Sequence, residues 1–462
     1  MNFLQRLGLQ KVEKSITLNP SAAIPAQIIF RQYGASPILY YAENTDTYLE
    51  KGFEGNHVVF TIADWIGKKM TLAPPILYNT KDKSAAKDYK YLQKEGSIES
   101  INHSIRIKNR AFKEVESHKI LEVLKKPNPL MTWDEFVYGY FIFKSFVGNA
   151  LIQGVSTDNG LNKGKIQELY LLPSNFFQAV SGQGLNIIDH YQDSRNPSIK
   201  VPTEQVLAIR NFSSNYRTAG SQLSGMSVMK AAAKLLKQSN EGVDAQAEAF
   251  QNRGASRMIF PKTMPENGIT LPDGVTIDSI NEEVSRRVKQ AGNKGIVFNS
   301  VPLESLNLGN SPIELGILDS QKYTSQQWAS LFHVDSRIIL NDHESSTKDN
   351  MQTAQLNSLV DGVFPHLSAL ANGLNDWFLP SYEDGLFLDF DYTIYSEMQK
   401  QLRETAKDMK DAEIFTVNEV RAMWKYGEYQ GENADKILVG SNKQILDDIS
   451  STLPDTSVGA GY

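Results

Sequence analysis

The stretch FHVDSRIILNDHESSTKDN, residues 332–350, gathers two histidines, four carboxylates and two basic side chains within nineteen positions. Imidazoles and carboxylates together can hold a divalent cation or move protons. His333, His343 and Glu344, joined by the Asp389/Asp391 pair of LFLDFDY, are therefore candidates for a metal-dependent hydrolase centre. The spacing opposes that reading. His333 and His343 stand ten residues apart, whereas zinc pairs on one helix face use i, i+4. Asp389 and Asp391 alternate with Leu388 and Phe390, the pattern of a half-buried strand pointing its polar residues one way. His57 and His366 are scattered elsewhere and read as structural.

Other chemistries lack their residues. With no cysteine in the chain, thiolate metal sites, disulfides and cysteine nucleophiles are excluded. No G-x-x-x-x-G-K-[ST] phosphate loop occurs; GLNKGK at 160 and GNKG at 292 have the wrong spacing. GQGLNI at 182 lacks the third glycine of a dinucleotide fingerprint, and GMSVM at 225 ends in Met where a nucleophile elbow needs Gly. No cofactor is expected. Lys230, Lys234 and Lys237 share one face of a helix by their i, i+4, i+7 spacing. Such a stripe suits an acidic partner or a DNA backbone, and it equally suits a solvated face.

The elements that must position these residues follow from pattern. A chain of 462 residues has room for two or three domains, and 22% charged residues is ordinary for a soluble fold. The first fifteen residues carry Arg6 and Lys11 and have no continuous apolar core, so no signal peptide is expected there. The most apolar run, FVYGYFIFKSFVGNALIQG from Phe136, contains Lys144 and Asn149 and reads as a buried helix, not a membrane span. HVVFTIADWIGKKMTL has helical spacing and stops at Pro74-Pro75, and KDKSAAKDYKYLQKEG after it reads as a solvated connection. Thr132 and Glu135 form a capping box, as do Thr416 and Glu419. Short proline-broken strands are expected over 166–180 and 185–210, which makes residues 1–224 an α+β domain.

Beyond Gly225 the character changes. Residues 226–252 lack proline, are rich in Ala, Lys, Gln and Glu, and predict one long helix. A second opens at Ser311-Pro312-Ile313-Glu314 and runs to Phe332. These two helices bracket a small β-containing unit. A third helical segment runs from Met351 to Trp377 with a kink expected at Pro365. Small and polar faces on the long helices suit an interface between copies, or a helical arm on a monomeric scaffold or adaptor.

The order of these segments resembles the portal proteins of tailed bacteriophages and gene-transfer particles. The likeness lies in HVVFTIADWIGKKMTLAPPILY, LEVLKKPNPLMTWDEF, SFVGNALIQG, IQELYLLPSNF, VPTEQVLAIRNFSS, QAGNKGIVFNSVPLESLNLGNSPIE, ASLFHVDSRIIL and FTVNEVRAMWKYGEY, in order over most of the chain. Asp335 stands where the family's pre-loop stretch has proline, and GEYQGENAD replaces a proline-glycine-aspartate pattern.

The resemblance implies an α+β portal fold: wing 1–224, stem helices 225–252 and 310–332, clip 253–309, tunnel loop 333–350, a long wing helix and strand over 351–390, and a crown over 391–462. It implies a dodecameric ring at one capsid vertex, passing double-stranded DNA without sequence preference during packaging and ejection. Its partners would be the terminase large subunit, the major capsid protein and a head–tail connector, with assembly in the bacterial cytoplasm. No membrane partner is implied, and no enzyme activity. Asn341, Asp342, His343, Glu344, Ser345, Ser346, Thr347 and Lys348 would then face passing DNA. Residues 391–462 hold thirteen acidic and eight basic side chains, and an acidic channel mouth repels a duplex and keeps it from sticking.

Overall fold

The chain divides into two units, Met1–Lys237 with Ser325–Tyr462, and Gln238–Thr324. The computed structural model describes residues 30–33, 36–39, 45–95, 98–157, 163–181, 188–214, 223–251, 257–261, 303–307, 317–340, 348–383, 385–424, 426–427, 429–431, 433–439 and 444–445.

In the larger unit the predicted local signals operate as expected. Asn56 caps the helix His57–Leu72 by accepting from the Val58 and Val59 amides at 3.1 Å, and Val59, Ile62, Ala63, Ile66 and Met70 bury its inner face. The Thr132/Glu135 capping box is formed at the start of helix Trp133–Ile142, whose Trp133, Phe136, Tyr140 and Phe141 enter the same core. That helix loosens into a π turn, Phe143–Val147, and ends at Gly148 in the left-handed region (φ 93°) before strand Asn149–Ser156. The apolar run is thus buried helix, turn and strand. No helix among the described residues is long and apolar enough to cross a membrane.

All the strand pairs are antiparallel. Asn149–Ser156 is the centre of a sheet with Val206–Arg210 and Ile166–Leu172 at its edges. Pro75–Thr80 is the centre of another, between Leu386–Phe390 and Phe112–Glu114. A third sheet joins Phe177–Ser181, Ile188–Asp193 and Lys200–Pro202. The kinked helix (Lys348–Ser358, a π turn Leu359–Val363, then Phe364–Trp377) packs across the core. Its Asn375 clamps strand Leu386–Phe390 by donating to the Leu388 carbonyl at 2.8 Å and accepting from the Leu388 amide at 2.7 Å. The kink sits next to Pro365, as expected, but the departure begins at Leu359.

Two expectations need correction. The Lys-rich run after residue 80 is a helix, Lys83–Glu95, not a solvated connection; Ala85, Ala86 and Tyr89 recur at helical spacing and bury its inner face. The long helix expected over 226–252 is broken. Ser227 caps a single turn, Val228–Ala231, the chain departs from helical geometry at Ala232, and Ala233–Gln251 follows. The smaller unit contains an antiparallel strand pair, Arg257–Pro261 with Leu303–Asn307, and the distal parts of both long helices. There Gln321 Nε2 donates to Gln246 Oε1 at 2.8 Å. The Ser311-Pro312 helix start and most of 253–309 lie outside the described residues; the second long helix is described as Ile317–Leu331.

A small aromatic cluster encloses a buried charge. Phe112 and Phe387 stack at 4.9 Å, with Tyr89 meeting both edge-on. Next to them Asp389 is buried and accepts from the Tyr89 hydroxyl, from Gln93 Nε2 at 3.3 Å and from Lys108 Nζ at 3.4 Å. Burial pulls the Lys108 pKa down, but the Asp389 charge and Tyr78 outweigh it, so the ammonium is held above its usual range. Such a pair stands only while both partners do. Asp389→Ala is expected to cost roughly 3–5 kcal/mol, while Asp389→Leu with Lys108→Met together should be far milder. Urea unfolding of the two variants checks this: equal losses would mean that the charge is not paired in the folded protein.

Candidate functional site

The two long helices leave the larger unit at one joint, and its construction starts from glycine. The backbones of Gly148 and Gly225 cross so closely that a Cβ on either would overlap the other's main chain; one on Gly148 would stand 2.7 Å from the Met226 carbonyl carbon. Two asparagines hold the crossing. Asn149 Oδ1 accepts from the Gly225 amide at 2.6 Å. The Asn211 amide donates to the Gly148 carbonyl (2.9 Å), and its Nδ2 donates to the carbonyls of Lys144 at 2.9 Å and Met226 at 3.1 Å. Ser227 then caps the first turn through the Met229 amide at 3.0 Å. The chain therefore enters the first long helix in a fixed direction.

The second long helix returns to the same place. Trp328 and Phe332 are buried at its end. The Val334 amide reaches back to the Ala329 carbonyl (2.9 Å) and the His333 amide to Ser330 (3.1 Å), with His333 in the left-handed region at φ 56°. This is a Schellman cap with histidine where glycine is usual. Asp335 then starts the next turn. Its carboxylate accepts from the Arg337 amide (2.9 Å) and takes the Arg337 guanidinium through two nitrogens at 2.9 and 2.7 Å, which holds the Asp335 pKa below the usual carboxylate range. The Asp335 amide bonds Ser358 Oγ on the kinked helix at 2.9 Å. Gly362, within the π turn of that helix, leaves room for the Phe332 and His333 carbonyls, which a Cβ would crowd at 3.1–3.2 Å.

Phe146 links the two roots. Its ring meets Phe332 at 6.0 Å and Phe53 at 5.5 Å, and with Met229 it closes over Gly52, whose missing Cβ leaves 3.0 Å to the Met229 sulfur. Beside Phe146, Lys144 is buried with its ammonium 3.3 Å from His366 Nδ1 and 5.9 Å from the Tyr140 ring centre. Burial lowers the Lys144 pKa to about 8. Burial, then the charges of Lys144 and His333, push His366 down to about 3.

The predicted residues fall as follows. His343 and Glu344, with the rest of Asn341–Thr347, lie outside the described residues. Lys348 opens the kinked helix. Of the remaining hydrolase candidates, His333 is a helix cap, Asp389 is the buried partner of Lys108, and Asp391 caps a turn through the Thr393 amide at 2.9 Å. Among the described residues no group of three or more His, Asp or Glu is gathered to hold a metal. Lys230 stands on the separate turn, Lys234 and Lys237 on the long helix beyond the break at Ala232, with Lys230 and Lys234 exposed and Lys237 partly so. Gly225, Asn149 and Asn211 were not singled out as functional from sequence. SFVGNALIQG and RNFSS were marked only as segments, and their joint role depends on contacts between distant positions.

A family model described as phage portal protein matches residues 100–424, well over half of the chain. The chain belongs to the phage portal protein family. Two relatives, both described as uncharacterized proteins, come from Rickettsia bellii (strain RML369-C), 20% identical over 323 residues, and Rickettsia felis (strain ATCC VR-1525 / URRWXCal2), 21% identical over 326. Each alignment covers 68% of this chain and 80% of the relative. Among solved structures, a chain from the neck of a native gene transfer agent particle, computed with C12 symmetry, superposes with TM-score 0.57 at 17% identity, covering 84% of this chain and 95% of that one. A chain from the virion of the native particle gives 0.56 at 16% identity, covering 85% and 96%. At these identities the likeness is one of fold. The portal family is structural, and a portal protein stands at a capsid vertex.

Two substitutions test the joint. His333→Gly should stabilise the protein by roughly 1 kcal/mol, since glycine adopts the left-handed cap without the Cβ penalty. Thermal unfolding reads this directly, and a loss of stability would show that the imidazole itself carries weight. Gly225→Ala should cost roughly 3 kcal/mol, because the added methyl would overlap the Gly148 main chain and the Asn149 Oδ1 that holds the crossing. Retention of the wild-type melting temperature would show that the two chains can part without penalty.

Proposed function

We propose that copies of this portal-family chain form a ring, twelve-fold in the particle, whose axial channel carries double-stranded DNA into a capsid during packaging and out at ejection. The supporting observation is the joint: the first long helix is rooted at the glycine crossing, the second is seated by Trp328 and Phe332, and the two bracket, in sequence, a separate small unit. Residues 1–224 are the wing, 225–252 and 310–332 the stem, 253–309 the clip, 333–350 the tunnel loop, 351–390 the long wing helix and strand, and 391–462 the crown. The terminase large subunit supplies the energy, which fits the missing phosphate loop in this sequence. The major capsid protein and a head–tail connector are the other partners, and assembly takes place in the host cytoplasm. The chain itself performs no catalysis.

Within that ring Asn341, Asp342, His343, Glu344, Ser345, Ser346, Thr347 and Lys348 face the DNA, and Lys230, Lys234 and Lys237 face either the duplex or a neighbouring stem. The contacts are electrostatic and independent of sequence. Rings, not filaments, are expected in negative-stain images, because a head-to-tail interface that closes gives a cyclic particle. Deletion of Asn341–Ser346, and Lys230→Glu with Lys234→Glu and Lys237→Glu, should each impair DNA packaging while leaving the ring assembled. A chelator should leave the melting temperature unchanged, since loss of a structural zinc removes stabilisation of roughly ten kcal/mol. A protein that stays monomeric at all salt concentrations and in the presence of its capsid partners would sink the ring, and normal packaging by both variants would remove these residues from the channel.

A further inference from the structure

Two cation-forming groups meet at the joint, Lys144 buried and His366 half-buried, and they differ from the Lys108–Asp389 pair in one respect: among the described residues no carboxylate neutralises Lys144. Its ammonium, on the π turn Phe143–Val147, faces Tyr140 from the preceding helix and His366 from the kinked helix. His366 faces Lys144, the edge of the Phe141 ring at 5.0 Å and, from the end of the second long helix, the charge of His333; its carbonyl accepts from the Tyr140 hydroxyl at 3.2 Å. With a neutral imidazole, Nδ1 accepts from the Lys144 ammonium and one proton is shared across the contact.

The position of the pair gives it reach. Lys144 is tied through its carbonyl to Asn211, which also holds Met226 at the root of the first long helix. His366 lies one turn beyond the π turn whose Gly362 seats the Phe332 and His333 carbonyls at the root of the second. π turns are rare, occur mostly as single turns within α-helices, and are frequent at functional sites.

We propose that Lys144 and His366 form a proton-operated latch that ties both helix roots to the kinked helix and releases them together when the pair takes a second proton. Two cations at 3.3 Å with no counter-charge cannot both stay buried, so the second proton enters only in an opened state. The sign follows from linkage. His366 is depressed in the closed state and ordinary in the opened one, so opening takes up a proton below about pH 6.5 and becomes easier as the pH falls.

The test is hydrogen–deuterium exchange of the full-length assembled protein between pH 7 and 5, corrected for intrinsic exchange rates. Peptides covering 223–237, 325–340 and 354–370 should lose protection together, about tenfold for each pH unit once below pH 6. Peptides from strand Pro75–Thr80 should keep theirs. In His366→Gln, whose amide oxygen still accepts from Lys144 but does not titrate, the pH dependence should vanish; in His333→Gln it should persist. Lys144→Met, close in volume and uncharged, should leave a shallower loss, since the imidazole then meets burial alone. A flat profile in the wild type, loss in one root without the other, or an undiminished slope in His366→Gln would each overturn the latch.

Discussion

The crossing of Gly148 over Gly225 is the constraint on which the remaining structure depends. Two main chains lie in contact with no side chain between them, so neither can rotate without displacing the other. Everything on either side inherits its direction from that point. Upstream lie the buried aromatic helix and its π turn; downstream are strand Asn149–Ser156 and the cap of the first long helix. The two asparagines satisfy the polar groups that such a close approach exposes. The second helix has no glycine crossing of its own. It is seated by Trp328 and Phe332, and by the gap left at Gly362.

Buried charge is used in two contrasting ways. Lys108 and Asp389 neutralise each other beside an aromatic cluster, with Tyr89 and Gln93 donating to the same Oδ2 and the Phe390 amide to Oδ1. That arrangement has one preferred state and nothing to respond to. Lys144 and His366 share a contact without a carboxylate; burial lowers Lys144, and burial with the charges of Lys144 and His333 lowers His366. The first cluster draws Tyr89 and Gln93 from the helix Lys83–Glu95 and Lys108 from Ile98–Ala111, whereas the second lies on the π turn whose Phe146 meets Phe332.

What was legible in the sequence was local. The capping boxes at Thr132 and Thr416 and the stop at Pro74-Pro75 involve residues within three positions of one another, so their chemistry is visible in the string. Lys83–Glu95 was misread because charged residues outnumber the three small or aromatic positions that carry its buried face. The break at Ala232 had no signal, since alanine favours helix; Met229 before it and Leu236 after it are both buried. His333 drew attention as a ligand because a histidine in a left-handed cap has no sequence mark; glycine would have announced the cap at once. The meeting of Gly148 and Gly225 joins positions far apart in the chain and leaves no local mark.

Because both helices depart from and return to the same joint, residues 238–324 form a closed excursion of the chain. Its two ends are fixed by the larger unit, and its own strand pair closes on itself. The excursion is therefore an exchangeable cassette. Lineages can lengthen, shorten or replace it without altering the fold that anchors it, much as a domain inserted at a surface loop leaves its host intact. Selection on whatever this unit meets can proceed independently of selection on the core. Divergence between relatives should accordingly concentrate between the two roots, while the asparagines and glycines at the crossing change slowly.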